Sequence, residues 1–215
     1  IMILTYDYIA KPKPSDNLIE SFKYLEIDHY LKHKYPFRKR SFIKGELNKK
    51  LNVKTFEDTT FCQEERINKY VGGIVRIYPR AGDECVKYFN NLMSMNKEAI
   101  QNIVAKKRVR VGIHQIRITC YNDNEGFPVP EGFHQDGVDY VIIAAIHSEN
   151  ISGGINHIRY GSQDGPEILD RTPNDNEALL LNDKRVYHYA SPIYAKYANI
   201  EGTRDSIIIT LSLSA

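Results

Sequence analysis

From residue 109 onward the chain is written in short apolar runs with polar residues at alternate positions. "VRVGIHQIRITCY", "DYVIIAAIHS", "GGINHIRYG", "EALLLNDKRVYHY" and "RDSIIITLSLS" are rich in Ile, Val, Leu and Tyr, and Gly, Pro, Asn and Asp separate them. A two-residue period bounded by turn residues predicts strands, and several strands at fairly regular spacing predict a sandwich or barrel. Asn182-Asp183 reads as the turn between two of them. The texture before residue 109 differs. Ser15 is placed to cap a helix in which Leu18, Ile19, Phe22, Leu25 and His29 fall near helical spacing. A second helix is predicted over 84–105, with Val86, Phe89, Leu92, Met93, Ile100, Ile103 and Val104 as its apolar stripe. "GGIVRIY" (72–78) suits a short strand. "YPFRKRSFIKGEL" (35–47) is basic with interleaved aromatics, and Pro36 interrupts any helix there. The pattern predicts an α+β, mainly β chain of one domain, 1–215. Its helical N-terminal part, about 1–108, covers one face of a β core, about 109–215.

Composition narrows the class. A chain of 215 residues can bury a core without a disulfide or structural metal. Net charge is +2, from 29 basic and 27 acidic residues, which points to neither nucleic acid nor a membrane surface. The cluster Arg38-Lys39-Arg40, with Tyr35, Phe37 and Phe42, reads as a solvated loop or as packing of the N-terminal part on the barrel. Cys62, Cys85 and Cys120 are widely spaced with no CxxC and read as reduced thiols. No run approaches a membrane span, and the first residues lack a basic-then-apolar leader. A soluble, cytoplasmic protein is the expectation.

The candidate chemistry begins at "GFHQDGVDY" (132–140). Side chains two apart on a strand share a face, so His134 and Asp136 converge. Alone, the pair suits a polar turn as well as a metal. A catalytic metal wants a third ligand, and His188 in "RVYHYASPI" supplies one near the end of a strand. Two histidines and a carboxylate on one face of an octahedron are the ligand set of non-haem Fe(II) oxygenases. In the last strand Arg204, Ser206, Ile208, Thr210 and Ser212 share one face, while Asp205, Ile207, Ile209, Leu211 and Leu213 share the other. The second face is apolar and is predicted to pack on the helices; the first suits a cavity lining. A buried arginine there needs an anion, and its planar fork fits a carboxylate. "HQIRIT" (114–119) repeats the pattern, with Gln115, Arg117 and Thr119 on one face. Taken as facing inward, Arg117 would serve a second anion. Other histidines carry no such constellation: His29 and His33 are spaced as on a solvated helix face, and His147 and His157 read as structural. Gly153-Gly154 reads as a turn or bulge.

"HQDG", the distal His188 and "RDS" together resemble the HxD…H iron motif and the RxS motif of Fe(II)/2-oxoglutarate-dependent dioxygenases. "HQIRI", "PVPEGFHQDG", "ISGGIN", "LLLNDKRVYHYASPI", "GTRDSIIITL", "YPFRKRSF" and "GGIVRIYP" are similar to the bacterial 2OG-Fe dioxygenase family that includes L-isoleucine dioxygenase, over roughly residues 30–213. The resemblance implies a double-stranded β-helix (jelly-roll). It implies Fe(II) on His134, Asp136 and His188, with the far carboxylate of 2-oxoglutarate on Arg204 and Ser206. It further implies O2 as co-substrate, succinate as co-product and hydroxylation of a free L-amino acid, with ascorbate a useful reductant in vitro. Arg117 is a candidate for contact with a substrate carboxylate, or else with the near end of 2-oxoglutarate, and Asn156 for a polar substrate contact. The alternatives are a cupin-type metal enzyme that does not use 2-oxoglutarate, and the same chemistry on a carrier-bound or peptide substrate. Oligomeric state is left open.

Overall fold

The computed structural model describes residues 4–31, 33–65, 67, 72–104 and 107–214. In chain order the elements are β1 (Tyr6–Ala10), α1 (Asp16–Ser21), β2 (Arg38–Leu47), β3 (Val53–Thr55), β4 (Thr60–Phe61), β5 (Arg76–Ile77), α2 (Asp83–Met95), α3 (Lys97–Val104) and β6 (Arg108–Cys120). They continue with β7 (Tyr140–Glu149), β8 (Ile151–Gly153), β9 (Asn156–Tyr160), β10 (Glu167–Asp170), β11 (Glu177–Asn182), β12 (Val186–Ala190), β13 (Ile193–Ala195) and β14 (Gly202–Ser214).

Seven strands form the major sheet, in the order β1-β11-β7-β14-β6-β2-β3, and β10-β9-β12 form a smaller one. The long apolar strands β6 and β14 pair antiparallel over their full length, Gly202 opposite Cys120 through Ser214 opposite Arg108. The alternation of side chains gives this sheet two buried faces. One carries Ile113, Ile142, Leu180, Ile207, Ile209 and Leu211, which pack with Phe89, Leu92, Met93, Ile100 and Ile103 of α2 and α3. The other carries Val141, Ile143, Leu179 and Leu181, which pack with Ile158 and Val186 of the small sheet. Helices cover one face and the small sheet covers the other, so the fold is a jelly-roll whose interior lies between the two sheets.

The expected elements beyond 109 are present, and the apolar face of the last strand does meet the helices. Ser15 caps α1 as expected, its Oγ accepting from the Leu18 N–H at 3.1 Å. The helix stops at Ser21 and gives way to one tight turn, Phe22–Tyr24, so no helix carries His29 and His33. The expected helix over 84–105 is two, divided at Asn96, whose Nδ2 donates to the carbonyls of Leu92 and Ala10. Region 1–108 is less helical than its lysine-rich text suggests, since it holds β1 to β5 and places β1, β2 and β3 in the major sheet. "RKRSFIKGEL" is an inner strand rather than a solvated loop, paired with β6 from Arg38 opposite Ile118 to Glu46 opposite Arg110.

Candidate metal centre and its cavity

His134 and His188, far apart in the chain, are joined by one antiparallel bridge. The His134 N–H donates to the His188 carbonyl at 3.1 Å and the His188 N–H donates back at 2.9 Å. The bridge brings the two imidazole centroids to 4.3 Å. Asp136 follows two residues on, and one ligand atom from each of His134, Asp136 and His188 lies within 4.8 Å of the others.

The donor set fits a divalent cation on three counts. His134 Nδ1 sits 3.1 Å from the Gly132 carbonyl, so it carries the proton and leaves the Nε2 lone pair toward the centre. His188 Nε2 is buried with no hydrogen bond, 3.5 Å from an oxygen of Asp136 and 3.5 Å from one of Asp183. Finally, the pocket itself calls for positive charge. Burial pulls the His188 imidazole down, but the carboxylates of Asp136 and Asp183 outweigh it and push the group up to about 10. Burial likewise raises Asp136, yet the His188 imidazole, by hydrogen bond and charge, holds it well below the usual carboxylate range. His134, Asp136 and His188 can therefore hold an iron.

Asp183 is the residue that shapes this loop. Its carboxylate accepts from the backbone N–H groups of Asp136, Gly137 and Val138 at 3.0, 2.8 and 3.1 Å, and its own N–H donates to the Asp139 carbonyl. The Gln135 side chain donates to the Asp183 carbonyl. The turn between β11 and β12 thus fixes the segment bearing His134 and Asp136. Removing that carboxylate strands three N–H groups. Asp183→Ala is expected to weaken Fe(II) binding about 10- to 100-fold, measured by anaerobic titration against a competing chelator.

The metal centre faces a cavity between the two sheets. Its floor is the inner face of the major sheet, where cross-strand rows run Arg38–Ile118–Arg204, Arg40–Ile116–Ser206 and Phe42–His114–Ile208. Arg204 is buried, donates to Ser206 Oγ at 3.1 Å and meets no carboxylate among the described residues. Burial alone lowers its guanidinium to about 10. Its stem rests on Gly154, where a Cβ would come within 3.2 Å of Arg204 Cδ and Nε; φ is +69° there, so glycine suits the turn on both counts. Asn156, also buried, lines the same cavity.

Arg117 does not. The grouping of Gln115, Arg117 and Thr119 is correct, but these residues point away from the cavity and His114, Ile116 and Ile118 point into it. Arg117 forms a two-pronged ion pair with Asp205, 2.7 Å at each contact, on the outer face. The anion expected opposite Arg117 is a side chain of the protein. Arg117→Ala would leave the fully buried Asp205 carboxylate unpaired. It is expected to cost about 3–5 kcal/mol in urea unfolding while the KM for 2-oxoglutarate stays unchanged.

Residues from the N-terminal half complete the lining. Arg38 is paired with Asp28, Nε and Nη2 both reaching Asp28 Oδ2 at 2.9 and 2.8 Å. Arg40 Nη2 donates to His114 Nδ1 at 2.6 Å; an arginine has only donors, so the imidazole accepts. Burial first, and then Arg40, depress His114 well below its usual value, in keeping with a neutral ring. Arg76 donates to Gln63 Oε1 at 3.0 Å, and Gln63 Nε2 reaches Asp136 Oδ1 at 3.3 Å. The signal for Arg38 and Arg40 was available as alternation, basic residues two apart between aromatics, but the density of charge made the stretch look solvated.

The family pattern described as 2OG-Fe dioxygenase matches residues 19–210. The chain belongs to that family. Its members' cofactors are Fe(II), 2-oxoglutarate and O2, which sets aside a jelly-roll enzyme working without 2-oxoglutarate. An L-isoleucine-4-hydroxylase of Bacillus thuringiensis is 25% identical over 160 residues, 71% of this chain; the match spans 65% of that relative's length, just short of two thirds. Among solved structures, a bsmA homologue from Methylobium petroleophilum PM1 superposes with a TM-score of 0.78 at 23% identity, covering 92% of this chain and 80% of that one. IDO from Bacillus thuringiensis superposes with a TM-score of 0.71 at 20% identity, covering 91% and 84%. Both are jelly-roll neighbours in fold. Among the described residues no helix is long and apolar enough to cross a membrane.

Proposed function

We propose that this dioxygenase hydroxylates a free L-amino acid, with His134, Asp136 and His188 holding the iron and Arg204 with Ser206 holding the far carboxylate of 2-oxoglutarate. The observation that carries the proposal is the pairing of a three-ligand centre with a buried, acid-free guanidinium in one cavity. The likeness to an L-isoleucine-4-hydroxylase supports an amino acid as substrate.

When bound, iron and 2-oxoglutarate supply the oxidising power for attack on a C–H bond, with succinate and CO2 as co-products. The chain supplies orientation. His134 is held in one tautomer by the Gly132 carbonyl, and Asp183 fixes the backbone under Asp136. Arg204 and Ser206 present parallel donors to a dicarboxylic acid. Ile116, Ile118, Ile143, Ile158, Leu179 and Ile208 line the interior with hydrocarbon and exclude water from the reacting centre. Asn156 offers a polar contact to the substrate.

The test is a mass-spectrometric screen of the twenty amino acids with Fe(II), ascorbate and 2-oxoglutarate. One or a few should gain a single oxygen atom with matching succinate. Gain of oxygen by none of them overturns the substrate assignment.

A further inference from the structure

Among the described residues four arginines line the cavity, and of these only Arg38 has a described carboxylate of its own. Arg204 is accounted for by 2-oxoglutarate in the proposed function, on which the following rests. Arg40 and Arg76 are not accounted for. They are 7% and 1% exposed, and neither forms an ion pair with any described acid. Their polar contacts are one neutral imidazole, His114, and one amide, Gln63. Both Nε atoms are buried without an acceptor. The two guanidiniums lie against the same Phe61 ring, 5.2 and 4.7 Å from its centroid, and Arg40 lies 4.5 Å from that of Tyr78. Aromatic faces soften the burial of a cation but supply no hydrogen-bond acceptor in the plane of the fork.

The other described charges of the site have partners, and Glu131, which also lines the cavity, is engaged away from Arg40 and Arg76. Iron with Asp136 and one carboxylate of 2-oxoglutarate is neutral, Arg204 answers the other carboxylate, and Asp183 is absorbed by three backbone N–H groups. Arg40 and Arg76 are left as two buried positive charges, which is costly unless an anion arrives. Their place is also particular. Arg76 is tied through Gln63 to the ligand Asp136, so a group bound there sits beside the metal. β2 and the β4–β5 hairpin, where Phe61 pairs with Arg76, bring the two arginines together from separate parts of the chain.

We infer that Arg40 and Arg76 hold the α-carboxylate of the amino acid substrate, and that the site therefore selects free acids over their amides. This is the role that sequence spacing had offered to Arg117.

Two arms test it. Wild-type protein with Fe(II) and 2-oxoglutarate is given the twenty L-amino acids as a mixture, or the corresponding L-amino acid amides. Oxygenated product should come from the acids and fall about 100-fold or more with the amides, the scale of losing a charge-assisted pair in a site built for it. In the second arm, Arg40→Gln and Arg76→Gln are titrated anaerobically with Fe(II) and 2-oxoglutarate. The visible charge-transfer band of the iron–2-oxoglutarate chelate should form with unchanged affinity, while KM for the acid that reacts rises about 10- to 100-fold. Arg40→Lys and Arg76→Lys should recover part of that loss. Equal turnover of amides, or an unchanged KM in both Gln variants, overturns the inference and leaves the enzyme assignment standing. A weakened chelate band in those variants instead assigns the arginines to 2-oxoglutarate and also overturns it. A band in wild type with no product from the acids overturns both the substrate assignment and the inference. If the Gln variants do not fold, the amide arm decides with the wild-type protein alone.

Discussion

His188→Ala is expected to abolish stoichiometric iron binding and to lower product formation by at least about a thousandfold, since several kcal/mol of metal-based activation depend on the third ligand. A structural role for His188 would give a different result: a less stable protein that still loads iron. The metal-free protein offers a second readout. His188 is buried between Asp136 and Asp183, and despite its burial the two carboxylates raise it from 6.5 to about 10. A group with a raised folded value stabilises the fold fully below its unfolded value and ceases to do so as pH climbs through the folded one. After iron is stripped with a chelator, the urea midpoint should fall between pH 6.5 and pH 10 through loss of the charge that separates the two acids. His188→Ala removes that part of the slope and starts from the lower stability, because Asp136 and Asp183 then face each other without a cation. Iron should restore the wild-type protein at high pH and leave the variant unchanged.

The second large effect belongs to Arg204. Arg204→Met is expected to raise the KM for 2-oxoglutarate about 100-fold or more by removing a two-pronged, charge-assisted contact. It is also expected to leave the ligand-free protein at least as stable as wild type. The guanidinium is buried, its one hydrogen bond is to Ser206, and burial pulls it down to about 10, so replacing it with an apolar chain removes a desolvation cost. Thermal unfolding with and without 2-oxoglutarate separates the two effects. Wild type should gain stability from the co-substrate, and the variant should not. A loss of several degrees in the ligand-free variant would make Arg204 a structural residue.

The β half of the fold was legible because strands in a jelly-roll interior keep their two-residue period, and the turn at Asn182-Asp183 broke it where the chain reverses. Arg204 and Ser206 share a face of β14 as alternation expects, whereas His134 and Asp136 lie in a loop outside any strand, and the bridge to His188 and the Asp183 carboxylate, not alternation, bring them together. Alternation does not say which face is the interior. Arg117 shows the limit. Its strand has two buried faces, and only the position of Asp205 across β14 decides that the arginine belongs to the outer one. β2 shows another. Arg38 and Arg40 look solvated in a basic stretch, and it is the buried Asp28 carboxylate beside Arg38, with the aromatic rings and neutral imidazole around Arg40, that makes an inner strand of such residues stable. Asp183 was visible as a turn residue, yet its carboxylate serves N–H groups more than forty residues away, which local sequence does not encode.

The central claim is that one iron sits on His134, Asp136 and His188 with 2-oxoglutarate chelated to it. Anaerobic titration of the wild-type protein with Fe(II) and then 2-oxoglutarate, followed by visible absorption, tests it directly. A charge-transfer band should appear and saturate at one equivalent of iron, and it should be absent in His134→Ala. A wild-type protein that yields no band, or a His134→Ala variant that yields the same one, contradicts it.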